Sequence, residues 1–195
     1  MEQENFSPQD SLKLIQTMIA KTRQDMSDDS SHFLLWGWIT FIACTGQFVL
    51  LKWGYEKHYL VWLLIIPGVI ISIYLGIKEK RTQKANTYVG DSMKYLWMGM
   101  GISFFVLSMI LGKMGWNSNV FPFFMLLYGL GTFISGKFLQ FNPLVYGGIA
   151  AWAMAVVSSY FSYEYQILFA AAAILVSYII PAYMLRSKNK SSFNL

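Results

Sequence analysis

The sequence predicts an all-α, polytopic membrane bundle of six transmembrane helices. The 195-residue chain is 55% hydrophobic and only 13% charged, whereas soluble domains carry about 25% charged residues. Six runs of roughly 20 residues, the length that spans a 30 Å hydrocarbon core as a helix, contain no Asp, Glu, Lys or Arg. A charge at the centre of such a run would cost about 2.5 to 3.5 kcal/mol on insertion. Membrane-spanning helices are therefore favoured over buried soluble ones.

The starts of the odd-numbered spans look related, and each even-numbered span closes with a small residue near a cation, which suggests three consecutive helical hairpins. The odd-numbered spans each place an aromatic residue just before a glycine, as at Trp36, Trp97 and Tyr146. The spacing is irregular, so both a true triplication and a chance likeness among apolar segments stay open. The predicted spans are about residues 33–51, 59–77, 95–112, 120–136, 144–161 and 165–185.

The first 31 residues differ from the rest of the chain, because they mix acids and bases without a long apolar run. Ser7, Pro8 and Asp10 are typical of a helix start, and a helix is expected from there to about residue 26. A polar break follows at residues 28–31. We expect residues 32–186 to form the transmembrane domain and residues 187–195 to form a short basic tail. No cleaved signal peptide is expected, since no apolar core precedes the first span.

One face of the amino-terminal helix is apolar, by the three- and four-residue spacing of Leu12, Ile15, Ile19 and Met26. Two interpretations stay open. The face is a docking surface for a cytoplasmic protein partner or for self-association, or the helix lies on the inner leaflet or against the cytoplasmic loops of the bundle.

Twelve of the fifteen Lys and Arg residues fall in the amino-terminal segment, the second-to-third loop, position 137 and the tail. Lys52, Lys57 and Lys113 are the three on the opposite side. Because cytoplasmic flanks carry the excess of basic residues, both termini are predicted to be cytoplasmic, with the lipid bilayer as surroundings. The basic residues form no face of a soluble domain, so no nucleic-acid partner is expected.

Small residues four positions apart let membrane helices approach closely. Such spacing predicts helix-packing faces in the second, fourth and fifth spans. The residues concerned are Gly68, Ser72, Gly76, Gly131, Ser135, Gly147, Ala151, Ala155 and Ser159.

No catalytic, metal or cofactor site is predicted. His32 and His58 are expected on opposite sides of the membrane, so they cannot share a metal with Cys44. No ionisable side chain lies within a span to carry a coupled charge. The candidate path for a neutral solute is Gln47 with three prolines, Pro67, Pro122 and Pro181, which either break spans two, four and six or merely kink them.

At residues 32–38, 127–132 and 177–181 the chain resembles a family of small six-span bacterial membrane proteins of unknown function. The resemblance implies a gene often placed beside that of a small winged-helix transcription regulator, and with it a sensing or stress role. It implies no catalytic residues.

Two function classes remain. The first is a non-enzymatic membrane component with a regulatory or partner-docking role. The alternative is a small permease or channel for a neutral or apolar solute. A continuous polar cavity would favour transport, whereas a solidly packed bundle would favour docking.

Overall fold

The computed structural model describes residues 8–82, 88–114 and 119–191, with side chains described from residue 30 onward except at residues 79–82, 88–89 and 188–191. Helices occupy most of these residues, and no strand occurs among them. The segments are α1 (Pro8–Lys52), a 3₁₀ segment (His58–Leu64), α2 (Ile65–Thr82), α3 (Tyr88–Met114), α4 (Val120–Phe138), α5 (Asn142–Ser158), α6 (Tyr163–Ile174), a π-helical turn (Leu175–Ile179) and α7 (Ile180–Ser191).

The predicted all-helical membrane class is confirmed in its coarse form. Five helical stretches of the described residues are long and apolar enough to cross a membrane: Ser30–Lys52, His58–Lys78, Gly90–Met114, Val120–Phe138 and Tyr163–Ser187. The remaining apolar helix, α5, has 17 residues. At 1.5 Å per residue it is about 25 Å long, slightly less than the thickness of the hydrocarbon core.

Helix α1 differs from the expectation, since it runs unbroken from Pro8 to Lys52. A polar break was expected at residues 28–31. Asp and Ser lower helix stability by no more than about 0.7 kcal/mol per residue. Four such residues do not end a helix whose continuation is held by burial, as it is at Phe33 and Leu34.

Packing between the predicted hairpins exceeds packing within them. The most extensive contacts join α4 to α5, and α1 to α6 and α7. Helix α2 lies against α1, and α3 lies against α4. The outward faces of α2 and α3 expose apolar side chains such as Ile70, Ile102 and Phe105, as lipid-facing helices do. The core is therefore built mainly by α1, α4, α5 and α6.

The α4–α5 pair packs backbone to backbone. A Cβ atom on Gly148 would lie 2.7 Å from the Gly129 carbonyl oxygen, and one on Gly136 would lie 2.7 Å from the Val145 nitrogen. No side chain larger than hydrogen fits at these positions without a shift of the helices. Glycine thus sets the distance between the two helices, as is common in membrane bundles.

Two helices end in the same hydrogen-bonded motif. After α4, Phe141 N–H donates to the Gly136 carbonyl at 2.9 Å and Gln140 N–H to the Lys137 carbonyl at 3.3 Å, and Gln140 has φ 49°. After α1, Tyr55 N–H donates to the Leu50 carbonyl at 3.0 Å, with Gly54 at φ 72°. This is the Schellman motif, whose left-handed residue is usually glycine.

The prolines start helices instead of kinking them. All five in the chain lie within the first three residues of an α-helical segment, where a missing N–H costs little. Pro67 follows the 3₁₀ segment, and Pro122 stands in the first turn of α4. Pro181 follows the π-helical turn, in which the Ile180 N–H bonds to the Leu175 carbonyl, five residues back. Span four is therefore not broken at Pro122, since α4 continues from there to Phe138. In span two a 3₁₀ helix becomes an α-helix shortly before Pro67, and in span six a π-helical turn becomes an α-helix shortly before Pro181.

Candidate functional site

A buried glutamine organises the polar contacts at the end of the bundle where α1 finishes and α6 begins. Gln47 is 2% exposed. Its Nε2 donates to the Tyr163 hydroxyl at 3.0 Å and lies 3.1 Å from His58 Nδ1, and its Oε1 accepts the Trp62 indole N–H at 2.7 Å. We call Gln47, His58, Trp62 and Tyr163 the Gln47 cluster. The cluster joins α1, the 3₁₀ segment and α6.

The chain reversal after α1 brings His58 and Trp62 to Gln47. The Schellman motif ends α1, and His58 N–H then bonds to the Tyr55 carbonyl at 3.2 Å. The 3₁₀ segment returns along α1 so closely that a Cβ on Gly46 would lie 3.2 Å from Val61 Cγ1. This close approach brings His58 and Trp62, which lie on the 3₁₀ segment, within hydrogen-bond distance of Gln47.

An ion pair lies at the rim of the same end. Lys52 bonds to the Glu164 carboxylate, and its ammonium lies 5.7 Å from the Phe48 ring centroid and 5.9 Å from that of Tyr165. Both charged side chains are nearly half exposed. Solvent screens an ion pair this exposed, so it closes the rim of the cluster without dominating its stability.

A second buried glutamine stands one turn beyond Tyr163. Gln166 Nε2 donates to Asn119 Oδ1 at 2.8 Å and to the Phe161 carbonyl at 2.9 Å. Its Oε1 is buried and has no hydrogen-bond partner. Ser135 Oγ and Ser177 Oγ are likewise buried with no hydrogen-bond partner among the described residues. Each such acceptor or hydroxyl costs stability relative to a satisfied group.

Aromatic rings fill the interior between α1, α3, α4 and the π-helical turn. The Tyr178 ring centroid lies 4.9 Å from that of Phe33, 5.7 Å from that of Trp97 and 5.9 Å from that of Tyr128. The Tyr128 hydroxyl lies 2.9 Å from Thr40 Oγ1. We call Phe33, Trp97, Tyr128 and Tyr178 the aromatic core. Its rings pack against one another across four segments of the bundle.

Two grooves lie on the outer surface of the bundle. One, of about 340 Å³, runs between α4 and α5 and is lined by Leu126, Leu130, Trp152, Ala155 and Val156. The other, of about 330 Å³, runs between α3 and α4; its one hydroxyl, Ser103, bonds to its own helix backbone. Both linings suit hydrocarbon and offer nothing to a polar solute.

Several predicted packing residues lie at tight contacts. A Cβ on Gly68 would lie 2.5 Å from Ile39 Cδ1, and one on Gly147 would lie 2.8 Å from both the Cα and the carbonyl oxygen of Ser177. The side chains of Ser135, Ala151 and Ala155 are buried. Gly131 faces Met100 and Trp97. The Ser72 hydroxyl lies 3.4 Å from His32 Nδ1, at hydrogen-bond distance.

Two predicted packing residues lie elsewhere. Gly76 has open space where a Cβ would stand, with nothing within 4 Å. Ser159 is exposed and bonds to the Val156 carbonyl behind it, because α5 ends at Ser158. The small-residue stripe of α5 therefore ends one turn earlier than expected.

The predicted solute-path residues lie on four different helical segments. Gln47 belongs to the cluster described above. Pro67 is exposed, Pro122 is half-buried in the first turn of α4, and Pro181 is buried at the start of α7. The predicted docking side chains, Leu12, Ile15, Ile19 and Met26, lie outside the described ones, although the helical backbone of α1 passes through them.

No three His, Cys, Asp or Glu side chains in the described part of the chain lie close enough to hold a metal ion. Cys44 is buried, with Phe121 and Ile167 in the same apolar cluster. The Gln47 cluster brings together one carboxamide, one phenol hydroxyl, one indole N–H and one imidazole. These groups can exchange hydrogen bonds, and the imidazole can bind one proton.

Sequence reasoning singled out Gln47 but missed its partners. They stand 11, 15 and 116 residues away along the chain, and no local spacing links them. The usable signal was the presence of His58 and Trp62 in the turn after the first span. In comparisons with protein-family models, curated proteins and solved structures, nothing matches this chain.

Proposed function

We propose that the chain is a non-enzymatic, six-span component of a bacterial cytoplasmic membrane, with both termini inside, that docks a cytoplasmic partner through the amino-terminal extension of α1. In this topology α5 is the fifth span, shortened but flanked by aromatic residues, and the Gln47 cluster faces outward. The basic residues flanking the second-to-third loop and the carboxyl terminus support this orientation.

The observation that carries the proposal is the continuity of α1. Residues 8–29 precede the first candidate span, yet they belong to the same helix. At 1.5 Å per residue this extension is about 33 Å long. A helix that continues a membrane span leaves the surface of the bilayer, so this geometry favours docking over a helix lying on the inner leaflet. Its apolar face repeats at positions 12, 15, 19 and 26, as in helices that dock through one stripe.

The aromatic core and the apolar grooves also favour a role other than transport. Rings of four segments meet where a path would run. The Gln47 cluster is the one feature that favours the alternative, a small permease or channel for a neutral solute. It lies at one end of the bundle, however, and the aromatic core separates it from the other.

The test is a copurification from native membranes in mild detergent, followed by mass spectrometry, with variants that keep the length of α1. One variant replaces the apolar face, Leu12, Ile15, Ile19 and Met26, by serine. The control places four serines on the opposite face, at Lys13, Thr17, Lys21 and Gln24, so that both variants lose similar helix propensity. A defined partner that is lost only in the apolar-face variant supports docking. Recovery of the same proteins from both variants would exclude this surface.

A further inference from the structure

We propose that the Gln47 cluster is a proton-sensitive latch, in which His58 holds the 3₁₀ segment against α1 and α6 only while its Nδ1 carries no proton. This role is independent of partner docking. It rests on the directions of three hydrogen bonds that meet at one side chain.

The orientation of the Gln47 amide is set by Trp62. An indole N–H donates and never accepts, so the atom of Gln47 that lies 2.7 Å from Trp62 Nε1 is the oxygen. The amide nitrogen therefore faces Tyr163 and His58, at 3.0 and 3.1 Å. An amide N–H can only donate, so His58 Nδ1 must accept. The imidazole is thus neutral and carries its proton on Nε2.

A proton on Nδ1 would set two donors against each other. His58 Nδ1–H would point at the Gln47 N–H. Rotation of the amide would relieve that contact but would turn its N–H group toward the Trp62 N–H. Because either arrangement leaves one donor facing another, protonation removes at least one hydrogen bond that holds the 3₁₀ segment.

Among the described residues His58 forms no ion pair with a carboxylate that would stabilise the added charge. From α6 it faces Tyr163, with ring centroids 6.4 Å apart, and from its own segment Tyr59, at 6.1 Å. Glu164, the acid at this end of α6, is engaged by Lys52 of α1. Glu56 and Lys57, the charged neighbours in the turn, are exposed.

His58 is only partly buried and is the first residue of the candidate span His58–Lys78. It adjoins the exposed turn residues Glu56 and Lys57, through which protons from the solvent can reach it. Histidine is the side chain that changes charge between about pH 5 and 8. The latch is closed while Nδ1 carries no proton and released once Nδ1 is protonated, so pH 8 and pH 5 are the two conditions to compare. Release loosens the hydrogen-bonded attachment of the 3₁₀ segment to α1 and α6, while its apolar contacts, such as that of Val61 with Gly46, stay in place.

Hydrogen exchange followed by mass spectrometry tests this on the full chain in nanodiscs at pH 8 and pH 5, with rates corrected for the pH dependence of intrinsic exchange. In peptides covering residues 53–64, the wild type is expected to exchange roughly tenfold faster at pH 5, the effect of losing about one hydrogen bond to a group left unpaired. His58→Gln keeps an acceptor that does not titrate, so its rate should not rise. His32→Gln removes the other of the two histidines and should keep the wild-type rise.

A second variant replaces the amide donor of Gln47, at the centre of the cluster, by an acceptor. In Gln47→Glu the carboxylate accepts from Trp62, Tyr163 and protonated His58 together, so the rise at pH 5 should disappear. A wild type that stays protected at pH 5, or a rise that persists in His58→Gln, would overturn the proposal. Should the variants fail to fold, nitrogen-15 NMR of the wild-type histidines decides: His58 must carry its proton on Nε2 at pH 8, and a proton on Nδ1 contradicts the latch.

Discussion

Gly147→Ala perturbs the contact between α5 and the π-helical turn. The new methyl group would stand 2.8 Å from the Cα and the carbonyl oxygen of Ser177 and 3.2 Å from its carbonyl carbon. Carbon atoms in favourable contact are about 3.5 to 4.0 Å apart. All three neighbours are backbone atoms, so no side-chain rotation relieves the overlap, and α5 must move away from the turn.

The magnitude follows from a comparison with Gly101→Ala. Alanine raises helix propensity by about 1 kcal/mol at either position, and this gain cancels in the difference. At Gly101 nothing lies within 4 Å of the new Cβ. The difference in unfolding free energy between the two variants is therefore the cost of overpacking, about 1 to 3 kcal/mol.

The assay is reversible unfolding in mixed micelles of mild detergent and sodium dodecyl sulfate, with near-ultraviolet circular dichroism as the readout of tertiary packing. Gly147→Ala should unfold at a lower fraction of dodecyl sulfate than both the wild type and Gly101→Ala. Equal midpoints for the two variants would refute the close backbone contact, and with it the packing of α5 against the π-helical turn.

Further variants test packing and helix ends in the same assay. Ala151→Leu, at a wholly buried position, should lower stability by about 1 to 3 kcal/mol through overpacking; an unchanged midpoint would contradict its placement. Gln140 and Gly54 both have a left-handed backbone conformation, which favours glycine over other residues. Gln140→Gly should therefore raise the unfolding free energy and Gly54→Ala lower it, each by about 1 kcal/mol. Changes of the same sign in the two variants would contradict the two Schellman motifs. Gln47→Leu should cost about 1 to 3 kcal/mol by leaving the Trp62 N–H unpaired, and a stabilised variant would argue against the cluster.

The positions of the membrane helices were accessible from sequence because insertion depends on local composition. A run free of charges is visible without knowledge of its neighbours, and the predicted start at residue 120 coincides with that of α4. The continuity of α1 was not accessible, because weak helix formers at residues 28–31 resemble a break unless the burial of Phe33 and Leu34 is known.

Contacts between helices were predictable only where one residue type sets them. Glycine spacing indicated a packed face at Gly147, but not its partner, Ser177, which lies 30 residues away in a π-helical turn that no sequence pattern marks. The Gln47 cluster has the same origin. Its hydrogen bonds depend on which helices become neighbours, and that is decided by packing over the whole bundle.

The proposed bundle crosses the membrane six times, and the 17-residue helix α5 is the shortest of its proposed spans. The direct test uses single cysteines in a Cys44→Ser background, at the exposed positions Gln140 and Ser162 that flank α5, with a membrane-impermeant maleimide applied to intact cells. With six spans and both termini inside, we expect labelling at Ser162→Cys in intact cells and at Gln140→Cys only after the cells are permeabilised. Labelling of both positions from the same side would contradict six spans and the proposed placement of the two termini.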